Sequence, residues 1–302
     1  MKRIISFTIL ISLVIVGYGC QKENTGIPSS SSSASVTDDL NNSISFDEIP
    51  QRVITLAPNL TEFIYALGVE DKLVGNTLYC NYPPAADSVT KVGDMLTFDY
   101  EKILTLKPDL IFITVEGNRK EAYGKLKNLG LKVFVSNPRD FKGIKKTFTD
   151  MGKIFGKENY VTGVINKWDS TYNFIERNSK KFTPEKTMIL IELNPLMVAG
   201  KNTFINGYIK TCNMENFVKD TTLNYPVFSR EIVLEENPEI IVYPSDGSTG
   251  MKTILDVYPE WNKLSAVKNG NVFFVNRDLY FRPGPRFIDA LENFYNRLKV
   301  LL

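Results

Sequence analysis

The sequence predicts an α/β protein of two similar lobes, each with a parallel-rich sheet flanked by helices, joined by one long backbone α-helix. Three observations carry that prediction. Short β-rich runs alternate with helical runs, the arrangement of parallel α/β architecture. A unit of helix, proline and strand occurs twice. Between the two copies lies a stretch with sustained helical periodicity.

The alternation begins at Arg52 to Leu56, a β-rich run. Pro58 and Asn59 turn the chain, Thr61 to Leu67 reads as a helix ended by Gly68, and Lys72 to Asn76 reads as a strand. The repeated unit is Glu101 to Ile113 against Glu231 to Tyr243. In each copy a glutamate opens a short helical run with leucine at the fourth place. Proline stands at the eighth place, an acid follows, and a buried strand closes the unit. A second β-run comes downstream of each, Lys132 to Ser136 and Asn271 to Val275. Proline disfavours helical geometry in the residue before it, so each helix stops just ahead of its strand. In the bridging stretch, Lys157 to Phe182, the residues Val161, Val164, Ile165, Trp168, Tyr172 and Ile175 recur at helical spacing with charges between them. At 1.5 Å per residue, about 26 residues make a rod of roughly 39 Å, long enough to cross both lobes. One helical crossing should hinge less freely than a pair of strands, so small opening motions are expected.

These readings divide the chain into a lipoprotein signal peptide 1–20, a disordered tether 21–48, an N-terminal α/β lobe 49–140, a helical linker 141–183 holding the long helix, and a C-terminal α/β lobe 184–302. Lys2 and Arg3 precede an apolar stretch from Ile4 to Gly17, and the small residue Gly19 stands just before Cys20. That is the pattern of a signal peptide, too short to span a bilayer, which takes about 20 apolar residues. It resembles a lipoprotein signal, in which Cys20 is lipidated and becomes the new N-terminus. The alternative is ordinary cleavage that leaves a free thiol. Gln21 to Asn42, with five consecutive serines from Ser29 to Ser33, is too polar to offset the entropy of ordering.

Loss of Lys2 and Arg3 leaves 34 basic residues against 34 acidic ones, a balance with no electrostatic footprint for nucleic acid. The chain has no histidine, which excludes His-ligated zinc, Ser-His-Asp triads and Cys-His pairs. Beyond Cys20 only Cys80 and Cys212 occur; one bridge between them is the most the chain allows. No catalytic residue, cofactor or metal site is predicted. A two-lobed cleft enzyme remains an alternative through the loop carboxylates Asp94, Asp99, Glu116 and Asp246, but no phosphate loop, metal cluster or nucleophile–base pair accompanies them.

In paired α/β lobes, ligands sit at the loops leaving the carboxyl ends of the strands. Three such segments join aromatic rings to prolines: Tyr79 to Pro84, Tyr225 to Arg230, and Tyr280 to Arg286. Stiff loops bearing flat rings suit a bulky, partly planar ligand. Candidate ligand-binding residues are Pro58, Asn59, Tyr79, Tyr82, Leu96, Asn194, Met197, Tyr225, Phe228, Tyr280, Phe281 and Arg282. Arg282 and Arg286 carry forked donors suited to carboxylates, phosphates or amide oxygens; pairing with Asp278 or Asp289 is their structural alternative. Glu101 and Glu231 hold the same place in the two copies, as docking onto a two-fold basic partner would require. Either acid is also favoured by the helix dipole alone.

Arg52 to Glu62, Tyr79 to Pro84, Glu101 to Ile113, Ser229 to Glu231 and Arg282 to Arg286 together resemble the class III, or long-helix, periplasmic binding proteins of ABC importers for cobalamin, haem and ferric siderophores. The likeness runs from Arg52 to the C-terminus, and Tyr79 to Pro84 with Ser229 to Glu231 is most similar to the cobalamin-binding branch. The resemblance implies a monomeric, exported, membrane-anchored carrier of cobalamin or a related corrinoid; a ferric siderophore or haem is the alternative cargo. It further implies that Tyr79 stacks on the corrin face, that Tyr225 and Arg282 line the opposite lobe, and that Glu101 and Glu231 meet arginines of a permease–ATPase complex. The chain departs from that branch at Met95-Leu96 and Thr114-Val115, where cobalamin binders can carry tryptophan, and at Tyr225, where another can stand.

Overall fold

The computed structural model describes residues 34–247 and 250–302. The signal peptide, Cys20 and the first part of the tether lie outside the described residues.

Two hydrogen-bonded strands, β1 (Ala34–Thr37) and β2 (Ser43–Phe46), open the described chain as an antiparallel hairpin. This corrects the tether predicted through residue 48. Val36, Ile44 and Phe46 are buried, and Asp38 is 1% exposed. The Asp38 carboxylate accepts the backbone N–H groups of Leu40, Asn42 and Val135. Asp39 accepts that of Asn137 and pairs with Lys146 at 2.8 Å. Three alternating apolar residues and two well-anchored acids suffice to order a segment whose overall composition is polar.

The N-terminal lobe continues with β3 (Val53–Thr55), α1 (Pro58–Ala66), β4 (Leu73–Asn76), α2 (Tyr100–Thr105), β5 (Leu110–Thr114), α3 (Lys120–Asn128) and β6 (Val133–Ser136). Its strands form one parallel sheet in the order β4-β3-β5-β6. Two helices follow, α4 (Phe141–Ile154) and α5 (Glu158–Ser179). The C-terminal lobe comprises β7 (Lys186–Glu192), β8 (Met197–Val198), α6 (Asn206–Thr211), β9 (Glu215–Asn216), α7 (Arg230–Glu236), β10 (Ile240–Ser245), α8 (Met251–Val257), α9 (Ser265–Lys268), β11 (Val272–Asn276), α10 (Arg277–Tyr280) and α11 (Phe287–Leu301). Strand β9 pairs in parallel with β7, giving β9-β7-β10-β11, the connectivity of the first sheet, with β8 added antiparallel.

The repeat holds residue by residue at an offset of 130. Asp99 and Ser229 cap α2 and α7, accepting the backbone N–H of Lys102 and Ile232. Lys107 and Asn237, each just before a proline, take φ of 46° and 44°. Leu110 and Phe112 of β5, like Ile240 and Val242 of β10, point into a central apolar core. Their alternates face separate outer cores, one for each lobe.

The central core belongs to both lobes. A series of ring contacts runs Phe63–Phe148–Trp168–Phe141–Phe287–Tyr208, with centroids 5.4, 5.1, 6.5, 5.5 and 4.9 Å apart. It passes from α1 through α4 and α5 to α11 and α6, so opening the lobes must shear a packed aromatic layer. Helix α5 is the long crossing. Its 22 residues are fewer than the 26 predicted, because it starts one residue later, at Glu158, and ends three earlier, at Ser179, where the chain turns with the Phe182 N–H on the Ser179 carbonyl. At 1.5 Å per residue its length is about 33 Å.

Candidate functional site

Between the lobes lies a cleft of about 390 Å³. From the N-terminal lobe it is lined by Pro58, Asn59, Tyr79, Met95, Thr114, Glu116 and Gly117. From the other lobe come Ile191, Phe204, Ile205, Tyr225, Arg277, Asp278, Phe281, Arg282 and Pro283. Both sets lie in or beside segments that leave the carboxyl ends of parallel strands, where an α/β protein places its ligands.

The loops are fastened locally. Asp94 accepts the backbone N–H groups of Leu96 and Thr97, each at 2.7 Å, and the Thr97 hydroxyl at 2.9 Å. Those bonds hold its carboxyl below the usual aspartate range and fix the turn that presents Met95. Asn118 donates to the carbonyls of Leu56 and Met95 and accepts the N–H of Thr114, tying three cleft segments together. A Cβ at Gly117 would stand 2.1 Å from Cε of Met95, so a glycine there makes room for the thioether.

Two groups of polar contacts join the lobes. Tyr225 donates its hydroxyl to Oε2 of Glu116 at 3.2 Å, and Arg139 pairs with Oε1 of the same carboxylate. Burial, then the Glu116 charge, raises the Tyr225 phenol, so it stays protonated as a donor. Around Arg282 the contacts are denser. Its guanidinium meets Oε1 of Glu62 at 3.0 Å, Oδ1 of Asp278 at 2.8 Å, Oδ1 of Asn81 at 2.8 Å and the Tyr79 carbonyl at 3.2 Å. Glu62 is 3% exposed and also receives Arg286. Burial by itself would lower Arg286; the Glu62 hydrogen bonds and charge outweigh it and hold the guanidinium above its ordinary value.

Six of the twelve predicted ligand residues line the cleft: Pro58, Asn59, Tyr79, Tyr225, Phe281 and Arg282. Arg282 spends its donors on protein acceptors, so its forked end joins the lobes instead of standing free for a ligand. The other six lie elsewhere. Tyr280 is 2% exposed, its ring beside Tyr208 and its hydroxyl donating to Asn293. The reason is helical phase: α10 turns Arg277, Asp278 and Phe281 toward the cleft and Tyr280 away, where a loop had been predicted. Phe228 packs edge-on against Phe217 inside the C-terminal lobe. The segment before it runs extended along β8, so alternate residues face opposite sides and Tyr225 and Phe228 part. Tyr82 lies under the Arg286 guanidinium, 3.7 Å from ring centre to Cζ. Leu96 is exposed beside Met95, Asn194 is exposed in the β7–β8 turn, and Met197 belongs to β8.

The sequence reading missed Glu62, though it lies in the Arg52 to Glu62 motif, and assigned Glu116 only to the enzyme alternative. It had no means to find Ile191, Phe204 or Ile205, ordinary apolar residues until the fold brings them to the cleft. Glu101 and Glu231 are both exposed, at the first turns of α2 and α7, and neither forms an ion pair among the described residues. The Glu231 carboxyl is held below its ordinary range by its own backbone N–H and the Ser229 hydroxyl. Cys80 and Cys212 are buried free thiols.

A family profile described as periplasmic binding protein matches residues 53–279. An uncharacterized ABC transporter substrate-binding lipoprotein of Bacillus subtilis, YvrC, is 30% identical over 264 residues, covering 85% of this chain and 82% of that one. The vitamin B12-binding protein of Vibrio cholerae is 29% identical over 253 residues, covering 83% and 90%. The crystal structure of the periplasmic vitamin B12-binding protein BtuF of Vibrio cholerae superposes with a TM-score of 0.72 at 28% identity, covering 83% of this chain and 98% of that one.

Proposed function

The chain belongs to the periplasmic binding protein family, non-enzymatic carriers, and serves an ABC transporter; from that premise we propose that its cargo is cobalamin or a related corrinoid. The observation that carries this reading is the cleft itself. Tyr79, which is 57% exposed, lines it from one lobe, and Tyr225 and Phe281 line it from the other. Aromatic surfaces on both walls, softened by Met95 and bordered by polar groups such as Asn59, Thr114 and Arg277, suit a large flat macrocycle with polar substituents. The relatives named for vitamin B12 support the same choice.

Delivery follows from the duplication. Glu101 and Glu231 are equivalent and exposed, and neither forms an ion pair among the described residues, which fits acids that meet basic groups on a permease with two-fold symmetry. Cys20, outside the described residues, would carry the lipid that keeps the monomeric carrier at the membrane surface, in keeping with the lipoprotein named in Bacillus subtilis.

The test is a titration panel. Intrinsic fluorescence and absorption are followed as cyanocobalamin, haemin and ferric siderophores are added to the purified protein. Saturation by cobalamin below about 10 µM, an affinity of roughly 7 kcal/mol, is expected. Saturation by haemin or a ferric siderophore alone would reassign the cargo.

A further inference from the structure

A second cavity, of about 470 Å³, shares no lining residue with the cleft and is joined to it through the Arg139–Glu116 pair. Three pieces of the chain wall it: the start of α4, the middle of α5, and the stretch from Lys201 to Lys210 in the C-terminal lobe. Its floor is apolar and rigid, since Phe141 stacks on Tyr172 with centroids 4.7 Å apart.

Its charges do not balance. Arg139, Lys142, Lys145, Lys201 and Lys210 stand against the lining acids Asp140 and Asp169 and against Glu116, which pairs with Arg139 from outside the lining, so five cations face three carboxylates and the surplus is two. Most of the committed charge is already spent. Arg139 is held by Glu116, and Lys145 pairs with Asp169 at 2.5 Å. Asp140 accepts the Gly143 N–H at 2.7 Å as the cap of α4. The ammonium groups of Lys142 and Lys210 have no hydrogen-bond or ion-pair partner among the described residues, and that of Lys201 donates there only to the Lys219 carbonyl at 3.3 Å. A concave surface with walls of low dielectric focuses a field of one sign, and like charges brought together repel until a counter-ion joins them.

We propose that this cavity binds a soluble, phosphate-bearing anion, with Lys142, Lys201 and Lys210 as its cations. A phosphate group offers several strong acceptor oxygens and more than one negative charge, which a surplus of two positive charges spread over three lysines accommodates and a single carboxylate does not. The concavity of the site favours a small molecule over a membrane surface.

The test is calorimetric titration of the full chain in detergent with inorganic pyrophosphate, at ionic strength held constant with chloride. Saturable binding in the low millimolar range or tighter is expected. Lys142→Gln with Lys210→Gln, both exposed, should weaken it at least about tenfold, a loss of roughly 1.4 kcal/mol. The control pair Lys120→Gln with Lys127→Gln, exposed on α3, should leave it intact. No saturation, equal loss in both variants, or binding to phosphatidylglycerol vesicles without binding to pyrophosphate would each overturn the assignment. The measurement needs no cargo, so it stands or falls separately from the corrinoid reading.

Discussion

Glu62 accepts two hydrogen bonds from Arg286, 2.8 Å from Nε and 2.6 Å from Nη2, joining residues 224 positions apart and the two lobes with them. Arg282 reaches the same carboxylate. One buried acid therefore holds two guanidinium groups at the base of the cleft, and the three are coupled in stability.

Removing that acid should be costly. Glu62→Ala leaves two largely buried cations facing each other without their shared partner, and breaking a buried ion pair from one side costs about 3–5 kcal/mol. Urea unfolding of the variant should show a loss of that order. A loss below about 1 kcal/mol would mean that water replaces the carboxylate at little expense.

Tyr225→Phe should separate cargo retention from folding. The variant loses one hydrogen bond to a charged acceptor while Arg139 still neutralises Glu116, so the melting temperature should fall by only about 3–6 °C and the protein stay folded. Faster cargo release, by about tenfold, is expected from a bond of roughly 1.5 kcal/mol that spans the cleft. Stopped-flow release of cobalamin measures it, and an unchanged rate would remove Tyr225 from the closing contacts.

Glu101→Arg combined with Glu231→Arg should abolish uptake in cells and leave cargo affinity unchanged. Both side chains are exposed and outside the cleft lining, so reversing them touches no packed contact. Weakened cargo binding with uptake machinery still engaged would show that the acids have been given the wrong task.

The cysteines should be chemically silent in the folded protein. Burial pushes the Cys212 thiol up to about 12, so almost no thiolate exists near neutral pH, and Cys80 is fully enclosed. In a Cys20→Ser chain, Ellman's reagent at about pH 8 should label neither thiol until denaturant is added, and then both. Rapid native labelling would point to local opening of α6 or of the loop that carries Cys80.

The duplication is legible in the sequence because its signals are local. The glutamate at 101 or 231, the leucine three places on and the proline at 108 or 238 each act within a few residues, so they read the same in one dimension as in three. The long helix was legible for the same reason, and its ends moved by only one residue at the start and three at the finish. Residues 34–46 were not. Their order depends on Asp38 and Asp39 reaching Val135 and Asn137, nearly a hundred residues away.

By itself, then, the sequence determined two α/β modules, the helix between them, an aromatic and proline-rich set of loops at the strand ends, and the family. Only the tertiary structure decided which of those aromatics reach the cleft and which serve the core. A single helical turn at α10 sends Phe281 one way and Tyr280 the other, and extended pairing beside β8 does the same to Tyr225 and Phe228. Side-chain direction depends on backbone phase, and phase at a loop is fixed by packing against distant elements. The same holds for Glu62, whose neighbours in the chain reveal nothing of the two arginines that fold onto it.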